Sequence, residues 1–278
     1  MVSTDRVHYY HADACAYGGY FQNPNQQIIV PQAPMSLSPS GGSGSASAAN
    51  FKLGSLMSYT SASTSVSGQE EDAGYVTTVT SVVEGLNVLG ILTADRLSAQ
   101  MSTVHPLDGD CPTISFEGTE IDNLQVQGNL IDVTLDLDIC DQDSGSGFPS
   151  GPCVSDSGFL ERVAAQYANM NDSAALPAWA TSKSIPSWIS QRYNAANNED
   201  EYSAVLCSVV ASTSGQFPGT PYGNVLDIPN FGRVFLGELL VDCKAYRLTM
   251  VRFELKGKTK GNHGGAIGCV NGTTIPPG

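Results

Sequence analysis

Residues 228–256, IPNFGRVFLGELLVDCKAYRLTMVRFELK, carry the clearest strand signal in the chain. Val234, Phe235, Leu236, Leu239, Leu240 and Val241 form one apolar run, and Leu248, Met250, Val251, Phe253 and Leu255 form a second, mostly alternating one. Asp242-Cys243-Lys244-Ala245 lies between them and is short enough to turn the chain. The stretch therefore reads as a β-hairpin, although no Asn-Gly or Asp-Gly pair marks its turn type. The alternation changes phase between Met250 and Val251. A β-bulge accounts for that, and so does a strand buried on both faces. Two long apolar strands need further strands to cover them.

Those strands are sought upstream. Val7–Tyr10, Ile28–Val30, Phe51–Ser67, Tyr75–Val83, Val88–Val104 and Ile114–Phe116 are β-compatible, with a helix over residues 91–101 as the competing reading. In residues 131–138, IDVTLDLD, the apolar Ile131, Val133, Leu135 and Leu137 alternate with polar partners, as in a half-buried strand with an acidic outer face. Residues 31–50, PQAPMSLSPSGGSGSASAAN, read as a Pro/Gly/Ser-rich connector after an amino-terminal strand segment, 1–30. Residues 141–202 break the β pattern. Phe159, Leu160, Val163, Ala164 and Tyr167 recur at helical spacing, and Pro186 opens a second helical stretch. The fold class is mainly β: an antiparallel β-sandwich or open barrel-like sheet, one domain over residues 1–278, with 141–202 as a small helical insertion. The strands on either side read as continuous without the insertion, so it is expected to be dispensable for the β core.

The chain has 278 residues, of which only 14% are charged, and Ser, Thr, Gly, Asn and Gln supply much of its polarity. That balance fits secreted β-proteins and places the chain outside the cell or at its surface. A formal net charge of −14 argues against nucleic acid and anionic membranes as partners, because phosphate repels it. Seven of the thirteen Lys and Arg residues nevertheless fall between Arg233 and Lys260. They are either the solvated faces of two strands or half of a self-complementary pair of surfaces. No stretch reaches the ~20 apolar residues of a membrane helix. The start lacks the apolar core of a signal peptide and the end carries no anchor, so a mature form or another export route is expected.

Seven dispersed cysteines with no CxxC pair suggest disulfides and an oxidising compartment. Cys140 and Cys153, joined by a Gly/Ser/Pro loop, are the expected pair. Asp136, Asp138, Asp141 and Asp143 offer oxygen ligands for calcium, though not at EF-hand spacing; surface acidity gives the same residues. His8 and His11 are three apart on a strand and so point to opposite faces, which disfavours a metal pair. No G-x-S-x-G, H-E-x-x-H or P-loop occurs, so no enzymatic activity is expected. Trp179, Trp188 and Tyr193 could stack on sugar faces, or pack as the apolar side of a helix.

The stretches AYGGYFQNP (16–24), VVEGLNVLGILTADRLSAQ (82–100), ISFEGTEIDNLQVQGN (114–129), IPNFGRVFLGELL (228–240) and YRLTMVRFEL (246–255) resemble the choice-of-anchor P domain of bacterial surface proteins. That resemblance implies an extracellular β-rich domain of unestablished activity, often tethered to the envelope. It supplies no catalytic residues.

These features lead to two expectations. The first is an extracellular structural protein that assembles with copies of itself, as a filament or surface-layer subunit. Its amino-terminal stretch (Val7, Tyr9, Tyr10, Tyr17, Tyr20, Phe21) would lie on a neighbour's open sheet edge, and Arg233, Arg247, Arg252 and Lys256 would meet a neighbour's acidic body. Pairing at home is the competing fate of that strand. The second is a carbohydrate-binding or adhesin module built on the tryptophans.

Overall fold

The computed structural model describes residues 7–23, 25–107, 112–140, 156–196, 204–242 and 245–275. In chain order the strands are β1 (Val7–Asn23), β2 (Gln27–Gln32), β3 (Met35–Ser36), β4 (Gly42–Leu53), β5 (Met57–Glu71), β6 (Gly74–Val88), β7 (Leu92–His105), β8 (Thr113–Ser115), β9 (Glu120–Asp122), β10 (Gln125–Val126), β11 (Asn129–Leu130) and β12 (Asp132–Leu135). Helices α1 (Ser157–Met170) and α2 (Ser187–Ala196) follow, with one 3-10 turn at Ser173–Ala175 between them. The chain then continues through β13 (Ala204–Ser208), β14 (Val210–Ser214), β15 (Thr220–Tyr222), β16 (Val225–Ile228), β17 (Gly232–Asp242), β18 (Tyr246–Lys256) and β19 (Lys260–Ile275). The protein is 63% strand and 9% helix, and its antiparallel sheets do not close into a barrel.

The first sheet runs β15-β16-β17-β18-β19-β1-β2, with β13 joined to β17 and β3 to β1. The second runs β11-β10-β7-β6-β5-β4, with β8 and β9 on β7. Strands β1 and β19 pack over β5, β6 and β7, and the side chains between the two sheets form the main core. The stretch 228–256 is the expected hairpin, closed where Ala245 donates to Asp242 Oδ1 at 2.6 Å. Residues 91–101 are strand, not helix, because Leu92, Ala94, Leu97, Ala99 and Met101 bury on the β6 ladder. The hairpin turn between β6 and β7 has Leu89 and Gly90 both at positive φ, the geometry of a type I′ turn. Residues 42–53 are not a connector. They form an edge strand zipped to β5 over its whole length.

The phase change seen in the sequence has a different cause from a register slip. The β17–β18 and β18–β19 ladders each keep one register throughout. Gly237 (φ +56) and Ala266 (φ +50), however, take left-handed backbone on one line across β17, β18 and β19. A left-handed residue reverses the succession of faces, so Leu236 and Leu239 both bury toward the second sheet. The second sheet carries the same crease through Asn50 (φ +55) on β4 and Gly85 (φ +62) on β6. Gly237 is boxed in: an added Cβ would stand 2.9 Å from both Val209 Cγ2 and Val210 Cγ2. Gly237→Ala is therefore expected to lower the unfolding free energy by about 1–3 kcal/mol. A urea midpoint equal to that of the parent protein would show that the crease does not need glycine.

Helices α1 and α2 contribute side chains to the buried core. Asp156 caps α1 by accepting from Phe159 N at 2.7 Å. Phe159, Val163, Tyr167 and Met170 then bury along one stripe. Tyr167 Oη donates to Leu206 O, Gln166 Nε2 to Ser208 O, and Arg162 Nε to Ile139 O, which pins the helix onto the outer side of the first sheet. On α2, Ile189 is fully buried and Trp188 meets Phe235 of β17 edge-on at 6.1 Å. Strand β17 is covered on both sides, so removing the helices would strip Phe235 of its cover.

Candidate functional site

The amino-terminal stretch pairs at home. Strand β1 aligns with β19 from Val7↔Ile275 to Asn23↔Lys260, while β2 and β3 flank its other side. Its ladder partners lie within the chain, along its whole length on the β19 side and over Asp13–Phe21 on the other, which is the competing fate expected for this strand. Tyr10, Tyr17 and Phe21 are buried, whereas Val7, Tyr9 and Tyr20 are exposed; the buried set changes parity at Ala16, where β1 crosses the line of Ala266. Tyr17 Oη lies 2.6 Å from His263 Nδ1, and the rings of Phe21 and Phe253 pack against the imidazole. Burial pushes the His263 pKa down to about 3. His8 stacks on Tyr75 at 4.5 Å and approaches His105 at 4.8 Å. Burial first, and His105 second, lower its pKa to about 4. His11 lies on the opposite face, 2.8 Å from Asp13.

The outward residues of β1 and β2 leave an apolar corner. Tyr20 is directly opposite Ile28. Tyr20, Ile28 and Val30 are 46%, 69% and 61% exposed, and β2 has a strand neighbour on one side only among the described residues.

The basic residues of β17 and β18 are mostly engaged within the chain. Arg233 reaches Glu254 at 3.2 Å and lies 4.0 Å over the Trp188 ring. Lys256 stands 3.8 Å from the same carboxylate. Arg252 makes a two-point contact with Glu238, one arm at 2.8 Å, and lies 3.8 Å over Phe235. Arg247 is exposed and makes no hydrogen bond or ion pair among the described residues. The basic surface expected to meet a neighbour is thus largely neutralised by Glu238 and Glu254.

Three neighbouring hollows lie along the outer side of the first sheet, two of them against α1. One, of about 290 Å³, is bounded by Asp136, Arg162, Gln166, Asn169 and Asn224. A hollow of only about 10 Å³ beside Ser208 and Glu238 separates it from another of about 260 Å³, where Arg247, Thr249 and Arg252 stand over Leu206 and Leu240. Sequence reading found the apolar stripe of α1 but not this wall. The signal was there in Arg162, Gln166 and Asn169, spaced three and four apart on one helix side.

The tryptophans are partly engaged within the chain. Arg233 occupies one face of Trp188, and Trp179 packs edge-on against Phe217 at 5.3 Å. The side chain of Tyr193 lies outside the described residues. Of the calcium candidates, Asp136 lines the largest of these hollows, Asp138 is exposed, and Asp141 and Asp143 lie outside the described residues. No group of three potential metal ligands occurs among the described residues. Cys140 is buried, and Cys153 lies outside the described residues, so that pairing does too. Among the described residues no disulfide forms, and Cys15 and Cys269 are thiols. Among the described residues no helix is long and apolar enough to cross a membrane.

Residues 8–242 match the family described as a domain of unknown function, DUF8256. This corrects the resemblance to the choice-of-anchor P domain, which rested on short apolar stretches that many β-sandwiches share. The matched span takes in the helical segment, as expected of a part of the fold. No curated protein and no solved structure matches the chain.

Proposed function

The chain belongs to the DUF8256 family of unknown function, and on that premise we propose that it is an extracellular structural β-protein, without enzymatic activity, that assembles with copies of itself. The observation that carries this reading is the apolar corner at the free edge of β2. An edge strand with outward Ile28 and Val30 offers both backbone groups and apolar surface to a second β2 laid antiparallel across a two-fold axis. Pro31 limits the length of such a pairing, since it has no N–H to donate. The low charged fraction and Ser/Thr-rich surface support a place outside the cell. Light scattering after size exclusion should give multimers for the parent protein and monomers for Ile28→Lys/Val30→Lys, because lysine on an edge blocks pairing without touching the core. A monomeric parent, or an equally multimeric variant, removes the reading.

A second reading, a carbohydrate-binding module, is favoured by these hollows rather than by the tryptophans. Amide and hydroxyl side chains along shallow hollows suit sugar hydroxyls, and Leu206 and Leu240 provide an apolar floor in one of them.

A further inference from the structure

We propose that the hollow at Arg247 is a binding site for the carboxylate of an acidic polysaccharide, a polymer of uronic acid residues; this rests on the carbohydrate-binding reading. The cavity there holds two guanidinium groups and one carboxylate. Glu238 is only 8% exposed and already grips Arg252, whose plane is fixed over Phe235. Arg252 is thereby held in place without rearrangement, although its charge is balanced. The second cation is not balanced: Arg247 reaches into the same cavity and has no ion partner among the described residues.

The cavity therefore carries a net positive charge on a chain whose overall charge is −14. An anion approaching the acidic body is attracted at this point against the surrounding field. A guanidinium suits a carboxylate because its parallel N–H groups meet both oxygens. The hydroxyl of Thr249 stands beside it as a further donor. Past Ser208 and Glu238 the second hollow carries one charge of each sign, Arg162 and Asp136, beside the amide of Asn169, while Gln166 and Asn224 are bonded to Ser208 and Leu236. A chain bearing a carboxylate among many hydroxyls satisfies both parts.

The test uses the full chain and calorimetric titration at low salt with polygalacturonate, with its carboxyl-reduced neutral counterpart, and with no glycan. The expected result is binding of polygalacturonate, at least ten-fold weaker with Arg247→Gln, partly kept by Arg247→Lys, and unchanged by Lys52→Gln on β4. Loss of one charge-assisted contact accounts for a change of that size. Arg247 is exposed, so the variant is expected to fold, which its unfolding midpoint checks. Equal binding by all variants places the polymer elsewhere and overturns the site. Binding of the neutral polymer alone keeps the carbohydrate reading and overturns its acidic specificity. No glycan binding overturns both. Dispersal of multimers by Arg247→Gln in the absence of glycan would assign the cavity to a carboxylate of a second copy and overturn the proposal.

Discussion

Phe159→Ala is expected to lower the unfolding free energy by about 3–5 kcal/mol, the usual cost of emptying a fully buried phenylalanine site. Phe159 is completely buried, three residues after its capping Asp156, on the stripe that α1 lays over the first sheet. Its loss leaves a cavity between helix and sheet that the pinned helix cannot close. Gln166, Tyr167 and Arg162 fix α1 to Ser208, Leu206 and Ile139, so the helix cannot slide to fill the gap. Chemical denaturation followed both by far-UV circular dichroism and by tryptophan fluorescence checks it. The two tryptophans sit in the helical region, so fluorescence reports that layer, while circular dichroism is dominated by strands. Coincident transitions, both shifted to lower denaturant, would confirm one cooperative unit. A shift in fluorescence alone would make the helical layer a separate unit riding on the β core.

Acidification is expected to destabilise the fold steeply, and His263 is the largest identifiable cause. The folded protein resists protonating this imidazole until about pH 3, whereas an unfolded chain takes the proton near 6.5. Between those values the unfolded state binds more protons, so stability rises with pH across the window and is lost as pH falls from 6.5. The difference is worth on the order of 4–5 kcal/mol at about 1.4 kcal/mol per unit. Neutral His263 is held by the Tyr17 hydroxyl on Nδ1, and its buried Nε2 has no hydrogen-bond partner. Changing both Tyr17 and His263 to phenylalanine removes the polar pair while keeping the ring packing, a substitution close to neutral near pH 7. The urea midpoint of the double variant should fall much less between pH 7 and pH 4 than that of the parent. His8, lowered to about 4, contributes the same slope in both proteins and leaves the comparison intact. Parallel curves would show that His263 is not the group responsible.

The parts legible in the sequence were those whose signal is local. The hairpin 228–256 showed in its paired apolar runs. Helices α1 and α2 began within a residue or so of where periodicity and Pro186 put them. The parts that were not legible depend on partners far along the chain. Strand β1 looked unattached because its ladder partner, β19, starts more than two hundred residues later. Strand β4 has almost no side-chain bulk to announce it, and only its zipper to β5 makes residues 42–53 a strand. The helices read as an insertion because polarity alone does not reveal that Phe235 needs a cover on its outer side. The site was harder still. Counting cations between Arg233 and Lys260 pointed to β17 and β18, but whether a charge is balanced within the chain depends on the register that sets Arg233 opposite Glu254.

The crease through both sheets divides each long strand into two halves of opposite parity. In β17 the residues buried against the second sheet are even-numbered before Gly237 (Val234, Leu236) and odd-numbered after it (Leu239, Val241). In β6 the core-facing Val79 and Val83 are odd and Leu86 and Val88 beyond Gly85 are even. Because neighbouring strands invert on the same line, the ladder hydrogen bonds stay matched while the inside–outside code is written twice. An alignment of relatives guided by alternating hydrophobicity would restore a single parity by opening a false one-residue gap at this line in every crossing strand. Recurrent gaps of that kind at Gly85 and Gly237 would thus be a fingerprint of the creased sandwich rather than true insertions, and a strand half grafted across the line must be shifted by one residue to keep its core side inward.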